Sequence, residues 1–199
     1  MKIRLLLPTL LAFAASPGGH ATPIYSGVQN LSVPFTFDGL YLNPFTGATA
    51  ATQPADWNTA PWLNPFFGGV DIGSDALLRP IITGTDQVVN LASGAVIGAS
   101  GNFAAGESGS TTHVGFAANQ FQLGTPGYLG FAFEPLSGGV TYYGWAQIAI
   151  SNSGAGTIIA WAYDDAPGTV IPVGTTVPEP GGALLLALAA AGCAVRRRR

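Results

Sequence analysis

Tyr143, Trp145, Trp161 and Tyr163 lie in a candidate hairpin, two residues apart on each strand, and a row of flat rings on one sheet face can stack on sugars. The hairpin reads Thr141 to Ser151, a turn at Asn152-Ser153-Gly154-Ala155-Gly156, and Thr157 to Asp164. Setting Ser151 opposite Thr157 puts Trp145 opposite Tyr163, Gln147 opposite Trp161 and Ala149 opposite Ile159. All four rings then share a face, because side chains alternate along a strand. Gln147, Asp164 and Asp165 would supply hydrogen bonds to a sugar. The opposite face collects Tyr142, Ala146, Ile148, Ile150, Ile158, Ala160 and Ala162 and is expected to be core. The alternative to a sugar-binding platform is cross-strand ring packing, each pair contributing up to about 1 kcal/mol, covered by residues 40–70.

Other chemistry is less well specified. Asp71 and Asp75, or Asp164 and Asp165, could ligate calcium, but neither pair has the dense Asp/Asn/Gly spacing of a loop site. Solvated acidic turns are the plainer reading. His113, the one histidine of the body, follows Ser108-Gly109-Ser110-Thr111-Thr112. A Ser–His pair needs an orienting acid and a nucleophile on a strained turn, and no Gly-x-Ser-x-Gly is present. One histidine without cysteine cannot build a zinc site. Residues 98–109 are glycine-rich but lack the strand, spacing and lysine of a phosphate loop. The expectation is a chain with no catalytic residue, no metal and no cofactor, and hence not an enzyme.

The two ends carry the strongest signals. Lys2 and Arg4 precede an apolar run from Leu5 to Ala15, and Gly19-His20-Ala21 offers the small residues that signal peptidase reads. This predicts a signal helix cut after Ala21 and delivery by the secretion machinery. At the other end stand Val177-Pro178-Glu179-Pro180, an apolar run from Gly181 to Val195, and Arg196-Arg197-Arg198-Arg199. The prolines hold the motif extended, a form that a protease or transpeptidase can grip. The apolar run is expected to enter a bilayer as a single transmembrane helix, and the arginines to stay on the cytoplasmic side.

This arrangement resembles the PEP-CTERM sorting signal of bacterial surface proteins. The resemblance implies recognition by exosortase, a membrane enzyme that cleaves near the motif and releases or transfers the protein. Tyr142-Tyr143-Gly144-Trp145-Ala146, residues 162–169 and Tyr128-Leu129-Gly130-Phe131 are similar to recurrent features of PEP-CTERM bodies. As a helix the apolar run would span roughly 22 Å at 1.5 Å per residue, against a hydrocarbon core of about 30 Å. That length suits a transient mooring better than a permanent anchor. Cys193, the sole cysteine, falls inside the run and reads as a small apolar residue rather than a lipidation site.

The predicted organisation is a signal peptide at 1–21, a β-sandwich domain at 22–168, a linker at 169–176 and the sorting signal at 177–199. The body carries nine carboxylates (Asp38, Asp56, Asp71, Asp75, Asp86, Glu107, Glu134, Asp164 and Asp165) against Arg79 alone, a formal charge of −8 where the whole chain has −3. Such a body has no electrostatic attraction for nucleic acid or anionic lipid. With 28 Gly and 15 Pro and no sustained helical period, it reads as short strands and turns. The fold expected is all-β, an antiparallel sandwich of jelly-roll type. Leu31 to Phe37 alternates as a strand that Pro34 confines to an edge. Tyr128 to Phe133 and Val114 to Ala117 are further strands, and Val88 to Leu91 is expected to pair with Ala95 to Ala99 around Ser93-Gly94. Leu42-Asn43-Pro44-Phe45 recurs as Leu63-Asn64-Pro65-Phe66, read as coincidence or paired turns within a strand-poor lobe at 40–70. The functional expectation is a cell-surface or matrix protein with a structural or adhesive role, which the resemblance to PEP-CTERM proteins links to extracellular polysaccharide and biofilm. The alternative is a carbohydrate-binding module.

Overall fold

A computed structural model describes residues 22–84, 87–107, 114–151 and 155–176. Ala21 and the signal segment, His113 with the run before it, the hairpin turn at 152–154, Val177, Pro178, Glu179 and Pro180, the apolar tail and Arg196, Arg197, Arg198 and Arg199 all lie outside these residues.

The described chain is almost entirely antiparallel β-structure. In chain order the strands are β1 (Pro23–Tyr25), β2 (Leu31–Val33), β3 (Tyr41–Leu42), β4 (Thr49–Ala50), β5 (Leu63–Phe66), β6 (Asp71–Ser74), β7 (Leu78–Pro80) and β8 (Ile82–Thr83). They continue with β9 (Gln87–Val88), β10 (Asn90–Leu91), β11 (Val96–Ile97), β12 (Gly106–Glu107), β13 (Pro126–Phe133), β14 (Tyr142–Ala149), β15 (Gly156–Asp164) and β16 (Ile171–Pro172). Among the described residues no helix is long and apolar enough to cross a membrane.

The central sheet runs β1-β15-β14-β13-β10, with β2 also on β15 and β7 also on β13. A second sheet runs β12-β6-β5-β3-β4, and β11 with β16 forms a separate ribbon. The three long strands β13, β14 and β15 are rich in β-branched, aromatic and small residues, and both their faces are buried. On one face Leu129, Phe131, Phe133, Ala146, Ile148 and Ile158 pack with Leu42, Leu63 and Ile72 of the second sheet. On the other, Ala132, Tyr143, Trp145, Ala160 and Ala162 pack with Ile97 and Ile171 of the ribbon and with Val173. Two apolar faces need two covers, and the layers on either side of the central sheet provide them.

Several local expectations need correction. Residues 40–70 are strand-poor, with no strand between Ala50 and Leu63, yet they supply β3, β4 and β5 of the second sheet. The two Leu-Asn-Pro-Phe copies differ, although Leu42 does face Leu63. Asn43 Oδ1 accepts the amides of Phe45 and Thr46 in a turn, whereas Asn64 sits in β5 and donates Nδ2 to Asp38 O and Leu40 O. Ser93-Gly94 does turn, with Gly94 at φ 82°, but its flanks part company: β10 pairs with β13 and β11 with β16. Val114 makes only a single bridge, to Phe121. Pro34 ends β2 as an edge strand, and Phe35 and Phe37 beyond it are exposed.

The predicted linker at 169–176 is also partly core. Ile171 is fully buried and Val173 nearly so, while Val170 between turn and strand is half exposed. Proline in β16 is tolerated because the ribbon is only two strands wide. We expect Ile171→Ala to cost about 2–5 kcal/mol by urea unfolding, and Val170→Ala less than about 0.5 kcal/mol. Equal, small effects would show that the segment is a linker after all.

Candidate functional site

The four rings expected on one face are divided between two. The β14–β15 register pairs Trp145 with Ala162, Ala146 with Trp161 and Gly144 with Tyr163. This is one residue away from the expected pairing, and a slip of one residue sends side chains to the opposite face. Trp161 and Tyr163 therefore enter the core shared with the second sheet, while Tyr143 and Trp145 enter the core under the ribbon. Ala160 and Ala162 move to the Trp145 side for the same reason. A β-bulge between Gln147 and Ile148 shifts the register again, leaving Ile159 unpaired opposite β14.

None of the four forms an exposed platform. Trp145 is 2% exposed, sandwiched by Tyr128 at 5.5 Å and Tyr25 at 6.1 Å, and Tyr143 stacks on Phe103 at 5.7 Å. Trp145 Nε1 is buried with no hydrogen-bond partner among the described residues, an uncompensated desolvation. Trp161 Nε1 donates to Pro44 O at 3.0 Å, and Tyr163 OH approaches Phe45 O at 3.5 Å. Burial, then the neighbouring Tyr142 and Asp165, push the Tyr163 hydroxyl above its ordinary pKa and keep it a neutral donor. The turn at 43–47 thus lies over this pair, as expected for a lobe that covers packed rings. Asp164 Oδ1 accepts the Ala166 amide within a turn, and Asp165 Oδ1 accepts the amide of Thr22, 143 residues away, so each carboxylate holds backbone in place.

Trp161 and Tyr163 nevertheless line one wall of a shallow pocket of about 280 Å³. Phe45 and Ile24, both more than 40% exposed, form its apolar rim, and Ser26 and Gln29 add polar groups. Ser26 Oγ accepts the Trp161 amide and donates to Gly27 O, which fixes that wall. The lining has no carboxylate or basic group, so it offers no ion pair to a charged ligand. The sequence flagged the two rings but not Ile24, Ser26, Gln29 or Phe45, which come from distant segments. Gly47, at φ 75°, lies against the Trp161 ring, a backbone conformation that suits glycine.

Asp75 is a buried acid with a raised pKa, and it belongs to a turn rather than a metal site. Its Oδ1 accepts the amides of Leu77 and Leu78 at 3.0 and 2.8 Å, while buried Oδ2 has no hydrogen-bond partner among the described residues. Burial raises its pKa to about 6; the amides of Leu78, Leu77, Asp75 itself and Trp62 pull in the opposite direction without cancelling that. An aspartate two and three residues ahead of Leu77-Leu78 is an Asx-turn signal, legible in the sequence. No cluster of three metal-ligating side chains occurs among the described residues.

Compared with family models, with curated proteins and with solved structures, the chain gives no match.

The buried carboxyl makes stability pH-dependent. Because the folded pKa is raised, the contribution is complete below the ordinary carboxyl value and is lost as pH rises through about 6. Urea midpoints should therefore give up to about 2 kcal/mol more stability at pH 4.5 than at pH 7.5 from this group, part of its contribution being already lost at pH 4.5. Asp75→Asn, which keeps the Oδ1 acceptor, should remove that difference and be at least as stable as the parent at pH 7.5. An unchanged pH profile in the variant would assign the dependence elsewhere.

Proposed function

We propose that this chain is an exported surface or matrix protein, moored briefly in the inner membrane by its C-terminal segment and processed by an exosortase at Val177-Pro178-Glu179-Pro180. The observation that carries this reading is the order of three segments in the sequence: proline-flanked glutamate, short apolar run, terminal arginines. Their junction with the fold supports it. Thr175 Oγ1 still donates to Pro172 O at 2.7 Å, so the motif begins within two residues of a fastened turn. A scissile collar close to the body leaves little loose chain on the product.

The body's role in this reading is structural or adhesive, in contact with extracellular polysaccharide. We take the paired sheets as a jelly-roll-like sandwich, since β1 and β2 at the start of the body close onto β15 near its end. A body with both faces of its main sheet sealed is a stable block to display. Its formal charge of −8 with a single arginine keeps it clear of nucleic acid and anionic surfaces.

Intact mass of the exported protein tests the proposal. The expected product begins at Thr22 and ends near residue 178, and Pro178→Ala with Glu179→Ala should retain the tail in the membrane fraction. Recovery of a wild-type protein that still carries Arg199 would overturn processing.

A second reading, carbohydrate binding, is favoured by the pocket beside Trp161 and Tyr163. Its volume, about 280 Å³, lies at the small end of ligand sites, and its neutral, part-aromatic lining suits one or two sugar units. Phe45→Ala, at an exposed rim position, should cut retention in affinity electrophoresis through neutral polysaccharide at least threefold. Equal mobility of parent and variant in every polysaccharide gel removes this reading.

A further inference from the structure

Four phenylalanines cluster at one end of the central sheet and are only partly covered. Phe35 and Phe37 are 63% and 77% exposed, and Phe66 and Phe67 are half-buried. Ring centroids lie 5.7 Å apart for Phe35–Phe67, 6.0 Å for Phe37–Phe66 and 5.3 Å for Phe66–Phe67. The cluster is held in place by backbone: Phe67 N–H donates to Thr36 O and Gly68 N–H to Pro34 O, each at 3.0 Å. Phe67 itself has φ 47°, a left-handed conformation that a bulky aromatic rarely adopts. Glycine would relieve that strain, so an aromatic ring held in that conformation marks the turn as a candidate for use at the surface.

The position of the cluster identifies what it faces. Gly68 O lies against Gly156 and Gly69 against Ile150, which places the Phe67–Gly69 turn at the end where β14 finishes and β15 begins. Leu123, also exposed, belongs to a loop whose Gly124 amide donates to Ile150 O at 2.7 Å, at the same end. The last described strand, β16, heads there too. Gly168 N–H donates to Thr141 O at the far end of the sheet; the chain then passes through β16, and Gly174 lies beside Ser93 and Tyr128. Tyr128 faces Gln147, two residues from the end of β14. The route to the apolar tail thus leaves toward the end that carries the phenylalanines.

We infer that the Phe35, Phe37, Phe66 and Phe67 cluster rests in the interfacial layer of the lipid bilayer while the tail is inserted. This rests on the reading of Gly181 to Val195 as membrane-inserted. Six residues separate Gly174 from Gly181, at most about 25 Å of extended chain. So short a tether holds the body at an effective concentration in the millimolar range, where a small apolar patch suffices for docking. The contact is apolar, not electrostatic: Asp38 sits among these residues, and the body's one arginine, Arg79, is paired with Glu134 at 2.9 Å. Zwitterionic lipid is therefore the proper partner, and added anionic lipid should weaken the contact.

Nitroxide labels on the full-length chain in phosphatidylcholine vesicles test this, reading collisions with oxygen and with a water-soluble nickel complex. One label goes at native Cys193; Phe37→Cys and Leu136→Cys are labelled in a Cys193→Ala background. Leu136 is an exposed turn residue at the opposite end of the sheet. The inference expects at least threefold protection from nickel at positions 37 and 193, and none at 136. Protection at 193 with none at 37 overturns the docking and leaves the tail reading intact. No protection at 193 overturns both. Spin–spin broadening at 37 that disappears on dilution with unlabelled chain would assign the patch to a second copy and overturn the lipid contact.

Discussion

Burial of β14 and β15 on both faces is the constraint that organises the rest of the molecule. Most of their large apolar side chains enter one core or the other, and their buried backbone groups must find partners in the sheet or in the segments along its edge. The layers on either side follow, since each apolar face must be covered. The bulge at Gln147 and Ile148 then sets finer detail. Ile159 is the extra residue on β15, and its carbonyl accepts the amides of Gln29 and Asn30. The outer edge of β15 is accordingly covered in two pieces, β1 and β2, with Ser26–Asn30 bridging the irregularity. Asn30 takes a positive φ of 53° to make that passage.

Sealing both faces moves any recognition chemistry to the rim. The pocket beside Trp161 arises where the 43–47 turn and the β1 edge meet without closing fully. The phenylalanine cluster arises where Pro34 stops β2 and the chain turns back over the β14–β15 end. Both features occur where strand pairing gives out, where backbone geometry rather than sheet packing decides what is exposed. Charge contributes little to either. The carboxylates whose contacts are resolved are tied into the fold: Asp75 and Asp164 cap turns, Asp165 receives the distant Thr22 amide, Asp56 receives Trp62 Nε1 and Glu134 pairs with Arg79. In a body with so few ionisable groups, they serve as local fasteners rather than as a binding field.

Legibility of the fold in the sequence varied with the kind of information needed. Strands β13, β14 and β15 are visible from alternation and composition, and Pro34 and Ser93-Gly94 mark an edge and a turn correctly. Pairing partners are not visible, as β10 and β11 illustrate: a convincing turn joins them, yet each finds a different sheet. Residues 169–176 look like linker because Pro172 and Gly174 stand among threonines, and only the inward pair Ile171 and Val173 reveals a strand. The 40–70 region misleads in the same way, since its strands are two to four residues long and too short to show a period.

The sequence by itself determined the segment order at the two ends, the acidic and cysteine-free body and its all-β character. These depend on composition and on contacts between near neighbours. Only the tertiary structure decided that Trp145 and Trp161 point in opposite directions and that Phe35, Phe37, Phe66 and Phe67 meet at one end. A strand's two-residue period is the same in either register. What selects between registers is the fit against layers contributed by segments more than a hundred residues away, as when Pro44 O receives Trp161 Nε1.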